Sequence, residues 1–321
     1  MTQMRFDDDV VIVTGAGRGL GREHALAFAA RGAAVVVNDI GVENLRPVGE
    51  PVVADIIAAG GRAVVDRNDV STAKGAAALL RTALDAFGRV TVLVNNAGII
   101  NFDVFQEIDE ESWRRMMQVT LDGTFHMSKA VWPLFLAQRH GRIVNTTSNA
   151  GFAGSAQLVH YGAAKLGVAG LTKALAQEAE GTGITVNAVA PMAVTRMNRD
   201  AFFGGKGASG EDWQTEIRNG TVPIGPPSAV SPTVLWLAHH STTVSGDIYS
   251  SSSGKVARVA IVVATGHFDP DHGPEDLRDN QDRIRSLDTF TDLRSTLDEL
   301  AIIRPLFESA EQRVLPRLGG A

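Results

Sequence analysis

The chain has 321 residues, 44% hydrophobic and 21% charged, which is typical of a globular protein with one large α/β domain and an appendage, or with two small domains. It has no cysteine, and this excludes disulfides, a thiolate nucleophile and cysteine-based zinc sites. The formal net charge is −6 without any basic stripe, so we expect no nucleic-acid partner.

Hydropathy gives a further expectation about location. No apolar run approaches the roughly 18 residues that suggest a membrane span. The first residues, MTQMRFDDDV, contain no apolar core of a secretory signal. We therefore expect a cytoplasmic protein without a membrane partner.

Short β-branched runs alternate with alanine-rich helical stretches along most of the chain. Strands are predicted at Val10–Thr14, Ala33–Asn38, Ala63–Asp66, Val90–Asn95, Gly141–Asn145 and Thr185–Ala190. Helices are predicted near Arg22–Arg31, Val52–Ala59, Thr72–Phe87, Glu110–Ala137 and Ala156–Glu180. Continuously apolar strands separated by helices indicate a doubly wound α/β Rossmann fold, a parallel sheet with helices on both faces. Ligands of this fold bind beyond the carboxyl ends of the strands.

The pattern changes after Pro191. The stretch AFFGGKGASGEDW, Ala201–Trp213, is rich in glycine and has no clear period, so we interpret residues 192–227 as a mobile substrate loop or lid, with a plain surface insertion as the alternative. The elements predicted next are a helix at Ala229–His239, strands in GDIYSSSSG and at Val256–Val263, and amphipathic helices near Pro274–Ser286 and Asp292–Ile303. We therefore predict a single domain over residues 1–255 and a C-terminal extension over residues 256–321.

A glycine-rich turn joins the first predicted strand to the first helix. In VIVTGAGRGLG, Val11–Gly21, the glycines let the backbone approach a pyrophosphate, and the helix N-terminus supplies unpaired N–H groups. A merely structural turn is the alternative. The predicted cofactor contacts in this turn are Gly15, Arg18, Gly19, Leu20 and Gly21.

Acidic residues follow the second and third strands. Asp39 could accept hydrogen bonds from the adenosine ribose hydroxyls and repel a 2′-phosphate, which favours NAD over NADP; a turn or cap acid is the alternative. Asp69 and Val70 could flank the adenine, although Asp69 could equally cap the helix that begins near Thr72.

A tyrosine and a lysine share one helical face in HYGAAKLG, His160–Gly167. Tyr161 lies one turn before Lys165. A free tyrosine has a pKa of about 10 and is a poor base at neutral pH, but a nearby ammonium favours the phenolate and lowers that pKa. Ser148 could hydrogen-bond the substrate oxygen and position it. An ordinary surface pair is the alternative, and for His160 we expect a packing or surface role. No H-E-x-x-H pairing is present, so we predict no metal.

The ordered motifs TGAGRGLG, NNAG (Asn95–Gly98), Ser148 and YGAAK resemble those of the short-chain dehydrogenase/reductase family, from about Phe6 to Gly254. The resemblance implies an enzyme that moves hydride between a nicotinamide and a carbinol or carbonyl carbon. It implies Ser148, Tyr161 and Lys165 as catalytic residues. The cofactor contacts that it implies beyond the glycine turn are Asn96, Ala97, Gly98, Tyr161, Lys165, Pro191, Val194 and Thr195.

Three positions depart from the pattern of this family. Its fourth catalytic residue is an asparagine that helps to hold a water in a proton relay, and here Thr120 occupies that place in VTLDGTF. The threonine hydroxyl could hold a water differently, and the backbone carbonyl is expected to remain available. The usual Pro-Gly after the sixth strand reads Pro191–Met192, and Thr147 stands where a second serine is common.

A closer resemblance concerns the substrate. VVVNDIG, LDAFGRVTVLVNNAGI and SPTVLWLAHHSTTVSGDIY are similar to the 3-hydroxyacyl-CoA dehydrogenase unit of D-specific multifunctional enzymes and their bacterial relatives. This similarity implies an acyl-CoA or other bulky alcohol as substrate and a role in lipid metabolism. The alternatives are a dehydrogenase of steroids or small cyclic alcohols, and a catalytically weak NAD-binding sensor or scaffold.

The family resemblance also implies a homo-oligomer, a homodimer or homotetramer. The predicted helix Glu110–Ala137 presents Trp113, Met117 and Phe125, with Met116 nearby. Such an apolar stripe usually belongs to the core, but in this family the equivalent helix often pairs with its symmetry mate.

Overall fold

The computed structural model describes residues 3–193, 195 and 224–314, with side chains up to residue 306. The chain divides into two compact units, Met1–Arg258 and Val259–Ala321. Within the described ranges, no helix is long and apolar enough to cross a membrane.

The first unit is built on one large sheet. Its strands, with a small hairpin formed by the third and fourth, are β1 Val10–Thr14, β2 Ala34–Asn38, β3 Val42–Glu43, β4 Arg46–Pro47, β5 Arg62–Asp66, β6 Val92–Asn95, β7 Gly141–Thr146, β8 Ile184–Pro191, β9 Ile248–Ser252 and β10 Lys255–Val259. The eight-stranded sheet has the order β10-β9-β8-β7-β6-β1-β2-β5, and neighbouring strands from β5 to β9 are parallel. All six strands predicted before Pro191 are confirmed. The strand order reverses between β1 and β6, the place where ligands of doubly wound sheets bind.

The helices of this unit follow the prediction with three local differences. They are α1 Gly19–Ala29, α2 Glu50–Ala58, α3 Ala73–Phe87, α4 Glu110–Met117, α5 Gly123–Gln138, α6 Asn149–Ala153, α7 Val159–Glu178 and α8 Ser231–Ala238. A π-helical turn, Gln118–Asp122, interrupts the predicted helix 110–137. The short helix α6 was not predicted, and α7 begins three residues later than expected because a turn precedes it.

Both faces of the sheet are covered, which explains the continuously apolar strands. On β1, Val11 and Val13 pack into one core, whereas Ile12 points into the other, as the two-residue period of a strand requires. The first core contains Phe28 of α1, and the second contains Phe135 of α5. Both faces of the sheet are therefore packed against a hydrophobic core.

The hairpin of β3 and β4 follows β2 directly and was not predicted. Its turn residues Asn44 and Leu45 have φ values of +50° and +64°, the left-handed conformation that a two-residue hairpin turn needs. Nothing in the sequence signalled it, because leucine is unusual at such a position.

The prediction of one strand over Val256–Val263 was wrong. β9 and β10 form a hairpin at the edge of the large sheet, with Ser253 and Gly254 in the turn at positive φ. The chain then starts a second sheet with β11 Val262–Ala264.

In the second unit, β11 pairs antiparallel with β12 Phe290–Asp292. The remaining helices are α9 Pro274–Asp279, α10 Gln281–Arg285 and α11 Thr296–Val314. Asn280 separates α9 from α10, so the predicted helix 274–286 is two short helices. The last helix begins later than predicted because residues 290–292 form β12, and Asp298 then accepts hydrogen bonds from the backbone N–H groups of Arg294 and Ser295.

Candidate active site

The glycine turn between β1 and α1 is packed tightly and leaves a helix N-terminus open. Gly15 and Gly19 have φ values of +62° and +54°, and a Cβ atom on Gly15 would lie 2.9 Å from the Ala97 Cα. A Cβ atom on Gly21 would collide with the Gly15 carbonyl oxygen, so this predicted contact residue serves close packing. The N-cap of α1 is Arg18, and its side chain makes no capping hydrogen bond. The first N–H groups of α1 therefore have no side-chain cap and suit an anionic ligand.

A cavity of about 930 Å³ brings together most of the predicted cofactor residues. It is lined by Gly15, Arg18, Gly19, Leu20, Asp39, Asp69, Val70, Asn96, Ala97, Gly98, Tyr161, Lys165, Pro191 and Thr195. Val194 and residues 196–223, which include most of the predicted lid, lie outside the described residues. Gly21, Thr120 and Ser148 are not among the residues that line this cavity.

Several lining residues were missed in the sequence. Ile40 directly follows Asp39, and Ile99 and Ile100 directly follow NNAG, so their position beside a motif was the available signal. Arg115 and Val119 also line the cavity. They lie one turn apart at the end of α4 and the start of the π-helical turn, and their four-residue spacing places them on one face.

Asn96 holds the ends of β1 and β6 together. Its backbone N–H and that of Ala97 each donate to Thr14 Oγ1 at 3.0 Å. Its side-chain Nδ2 donates to the Thr14 carbonyl at 2.9 Å. These bonds fix the spacing between the glycine turn and the NNAG segment on either side of the cavity.

Asp39 and Asp69 occupy different roles in their loops. The carboxylate of Asp39 accepts hydrogen bonds from the backbone N–H groups of Gly17 at 3.0 Å and Gly41 at 2.8 Å. Asp69 Oδ1 accepts from Ser71 N at 3.0 Å. The cap of α3 is Thr72, whose Oγ1 accepts from Gly75 N, so the alternative that Asp69 caps this helix was wrong.

Tyr161, Lys165 and Ser148 converge where α7 passes the carboxyl end of β7. Lys165 Nζ lies 5.8 Å from the centre of the Tyr161 ring and donates a hydrogen bond to the Thr146 carbonyl at 2.7 Å. Ser148 is the N-cap of α6, and its Oγ accepts from Ala150 N at 3.2 Å. Ser148 lies close enough to the Tyr161 phenol to influence its pKa. The arrangement places the hydroxyl of Ser148, the phenol of Tyr161 and the ammonium of Lys165 close together.

Burial is the main influence on the pKa values of Tyr161 and Lys165. It raises the pKa of Tyr161, and the nearby Ser148 acts in the opposite direction. Burial lowers the pKa of Lys165 to about 8. The pKa of the tyrosine therefore moves upward, opposite to the direction expected from the lysine alone.

The buried lysine leads to a prediction about alkaline stability. Below pH 8 Lys165 is charged in both folded and unfolded chains, whereas between about pH 8 and 10.5 only the folded chain releases its proton. Stability of the wild type relative to Lys165→Met should therefore rise with pH through this window, by roughly 2–3 kcal/mol. Urea unfolding of both proteins at pH 7.5 and pH 10 measures the change.

A matched comparison removes the contribution of the neighbouring phenol of Tyr161, which also titrates at alkaline pH. The same difference should appear between Tyr161→Phe and the double variant Tyr161→Phe/Lys165→Met. A stability difference that does not change with pH would contradict a lysine pKa of about 8.

Thr120 lies in the π-helical turn, beside the cluster of Ser148, Tyr161 and Lys165. A Cβ atom on Gly98 would lie 3.5 Å from Lys165 Nζ and 3.7 Å from Thr120 Oγ1, so both polar atoms border the same small space. Thr120 Oγ1 donates to the Met116 sulfur at 3.7 Å. Its carbonyl, which was expected to remain available, accepts a hydrogen bond from Thr124 Oγ1 at 2.9 Å.

His160 does not line the cavity. It is fully buried, and its Nε2 lies 3.4 Å from Asp103 Oδ2. This contact ties α7 to the segment that follows β6, as expected for a packing role.

Comparison with known proteins adds three findings. The family model described as short chain dehydrogenase matches residues 9–202. The chain is 37% identical over 291 residues to peroxisomal multifunctional enzyme type 2 of Mus musculus, an alignment that covers 88% of this chain but only 37% of the mouse protein. It is 35% identical over 254 residues to the (2S)-[(R)-hydroxy(phenyl)methyl]succinyl-CoA dehydrogenase subunit BbsD of Thauera aromatica, covering 78% of this chain and 98% of that subunit.

A solved structure gives the same result at the level of the fold. The crystal structure of a short chain dehydrogenase from Mycobacterium avium superposes with a TM-score of 0.74 at 35% sequence identity. The match covers 88% of this chain and 97% of that one.

Proposed function

This chain belongs to the short-chain dehydrogenase family, oxidoreductases that act on CH–OH groups, and we propose that it is an NAD-dependent dehydrogenase that interconverts a secondary alcohol and a ketone. We propose 3-hydroxyacyl-CoA thioesters as its substrate class. The observation that carries the proposal is the convergence of Ser148, Tyr161 and Lys165 beside the cavity that the glycine turn and Asp39 line.

Members of the family generally bind NAD or NADP, and the residues of this cavity fit such a dinucleotide. The uncapped N-terminus of α1 suits a pyrophosphate, and glycine is required where the turn approaches Ala97. Asp39 stands at the end of β2, where an acid recognises the ribose of NAD. A bound nicotinamide dinucleotide would supply the hydride acceptor in oxidation and the hydride donor in reduction.

The catalytic cluster handles the proton that accompanies this reaction. Tyr161 Oη removes the proton of the substrate hydroxyl in oxidation and returns it in reduction, while Ser148 positions the substrate oxygen. Because burial raises the pKa of Tyr161, the phenol is protonated at neutral pH and suited to donate. Oxidation should consequently become faster as the pH rises toward that pKa. Lys165 carries its positive charge below about pH 8 and then favours the phenolate.

Two observations support a thioester substrate. The relative from Thauera aromatica is named as a dehydrogenase of a succinyl-CoA derivative and aligns over nearly its whole length. The sequence also resembles the 3-hydroxyacyl-CoA dehydrogenase unit of multifunctional enzymes, and one such enzyme is among its relatives. Ile99 and Ile100 add apolar surface to the cavity.

The organisation of the chain is proposed on the same basis. Residues 1–255 would form the dehydrogenase domain, with 192–227 as its substrate loop, and 256–321 a C-terminal extension. We propose a cytoplasmic homodimer or homotetramer. Trp113 and Phe125 are 39% and 43% exposed, whereas Met116 is fully buried, so this helical region supplies both core and exposed apolar surface for a second copy.

The test is a spectrophotometric screen of NADH formation over 3-hydroxyacyl-CoA thioesters, steroid alcohols and small cyclic or terpenoid alcohols. We expect thioesters to be oxidised at least tenfold faster than free alcohols. Oxidation of free alcohols without any thioester turnover would favour the second candidate, a steroid or cyclic alcohol dehydrogenase. Binding of NAD without turnover of any alcohol would favour a sensor or scaffold, a function that the intact Ser148, Tyr161 and Lys165 argue against.

A further inference from the structure

An ion pair connects the glycine turn to the hairpin that follows β2. Arg18, the N-cap of α1, places a guanidinium nitrogen 2.7 Å from Glu43 Oε2 on β3. The side chains are 42% and 52% exposed. The pair therefore spans two loops that are distant in sequence, at the rim of the cavity that Arg18 lines.

Asp39 also connects these two loops through hydrogen bonds. Its carboxylate accepts the N–H of Gly17, the residue before Arg18, and the N–H of Gly41, which lies at the start of the hairpin. Arg18 and Asp39 line the same cavity. The arginine consequently stands beside the place where an acid recognises the ribose 2′-hydroxyl.

Asp39 and Arg18 favour different cofactors. An acid at the end of the second strand selects the 2′-hydroxyl of NAD, whereas an arginine nearby accommodates the 2′-phosphate of NADP with charge-assisted hydrogen bonds. A chain with both residues needs a way to keep the arginine from the phosphate.

We propose that Glu43 is a second residue that determines cofactor specificity, because it holds Arg18 in an ion pair and keeps its guanidinium from a 2′-phosphate. The inference rests on the proposed preference for NAD. Glu43 acts together with Asp39: one acid repels the phosphate and the other neutralises the cation that would attract it.

One further cation needs to be considered. Arg46 on β4 is the cross-strand neighbour of Glu43 in the hairpin. Removing the Glu43 carboxylate therefore removes an electrostatic attraction from both Arg18 and Arg46. Only Arg18 lines the cavity among these two. The experiment must therefore separate Arg18 from Arg46.

The experiment measures the dissociation constants of NADH and NADPH for the wild type and for Glu43→Gln, from the change in cofactor fluorescence on binding. We expect NADPH to bind about five- to tenfold more tightly to the variant. This is the gain in affinity expected when Arg18 exchanges one exposed ion pair for a charge-assisted hydrogen bond to the phosphate. NADH affinity should remain nearly unchanged. Glu50→Gln removes the same charge from the exposed first turn of α2 and should produce no gain.

Double variants identify the arginine responsible. The gain should vanish in Glu43→Gln/Arg18→Leu and persist in Glu43→Gln/Arg46→Leu. A change in the NADH to NADPH ratio of less than about twofold, or a gain that survives loss of Arg18, would overturn the proposal. The proposal for Glu43 is tested by the differences between variants. The proposed NAD preference is tested separately, because a wild type that binds NADPH more tightly than NADH would refute it.

Discussion

Replacing Tyr161 by phenylalanine should lower the turnover number by about 10²- to 10⁴-fold, the contribution of one positioned general acid–base group. The substitution removes only the phenol hydroxyl, which lies near Ser148 and the buried Lys165. The ring remains, so the affinity for NADH should change little. Steady-state oxidation of a 3-hydroxyacyl-CoA gives the rate, and NADH fluorescence gives the affinity.

The chain provides its own control, because it contains only two tyrosines. The hydroxyl of Tyr249 donates to Asp247 at 3.1 Å, and Tyr249 does not line the cavity. Tyr249→Phe should therefore retain turnover. If Tyr161→Phe keeps wild-type turnover, Tyr161 is not the proton-transfer group and the enzymatic mechanism proposed for this cluster is wrong.

Replacing Asp39 by asparagine should reduce the preference for NAD over NADP, measured as the ratio of kcat/KM values, by about 10- to 100-fold. This is the range for loss of a hydrogen bond to a charged group. Removing the charge also ends the repulsion of a 2′-phosphate. Parallel kinetics with both cofactors give the ratio.

The charge and the geometry of Asp39 can be separated. Asp39→Glu keeps the negative charge and should still reject NADP, although its longer side chain disturbs the hydrogen bonds to Gly17 and Gly41. Urea unfolding of each variant shows whether the glycine turn has lost stability. A wild type that turns over NADP faster than NAD, or an Asp39→Asn variant with an unchanged ratio, would contradict the assignment.

The two largest predicted effects concern opposite ends of one cavity. Tyr161 belongs to the helix that passes the end of β7, and Asp39 follows β2. Parallel strands place both ends at the same edge of the sheet, because each helix returns the chain to the starting edge. The fold thus brings the residue proposed to select the cofactor and the residue proposed to transfer the proton to one edge of the sheet.

Parts of this fold could be predicted because their signals are local. Val11, Ile12 and Val13 are consecutive apolar residues, which is the pattern of a strand buried on both faces. The hairpin at residues 42–47 could not be predicted, because Leu45 adopts positive φ against its own preference. The π-helical turn escaped prediction for a similar reason, since its residues continue the helical pattern on both sides.

The candidate site also has a part that could be predicted from the sequence and a part that could not. The glycine turn, Asp39, Ser148, Tyr161 and Lys165 were predicted as site residues from their positions in the sequence and from motifs that resemble those of a known family. The upward direction of the Tyr161 pKa was not, because it depends on burial between segments that are far apart in the chain. The Arg18–Glu43 pair was also invisible, since an ion pair requires the hairpin to fold beside the glycine turn.

The sequence by itself determined the class of fold and the positions of the six strands before Pro191, and it predicted the candidate reactive groups. The strands follow from hydrophobic periodicity, which acts over a few residues. The candidate reactive groups follow from motifs that resemble those of a known family. Only the tertiary structure decided which groups are buried, which polar atoms are already paired and how the two ionisable groups of the cluster titrate. Those properties depend on solvent exclusion by residues from distant segments, and no local pattern encodes that exclusion.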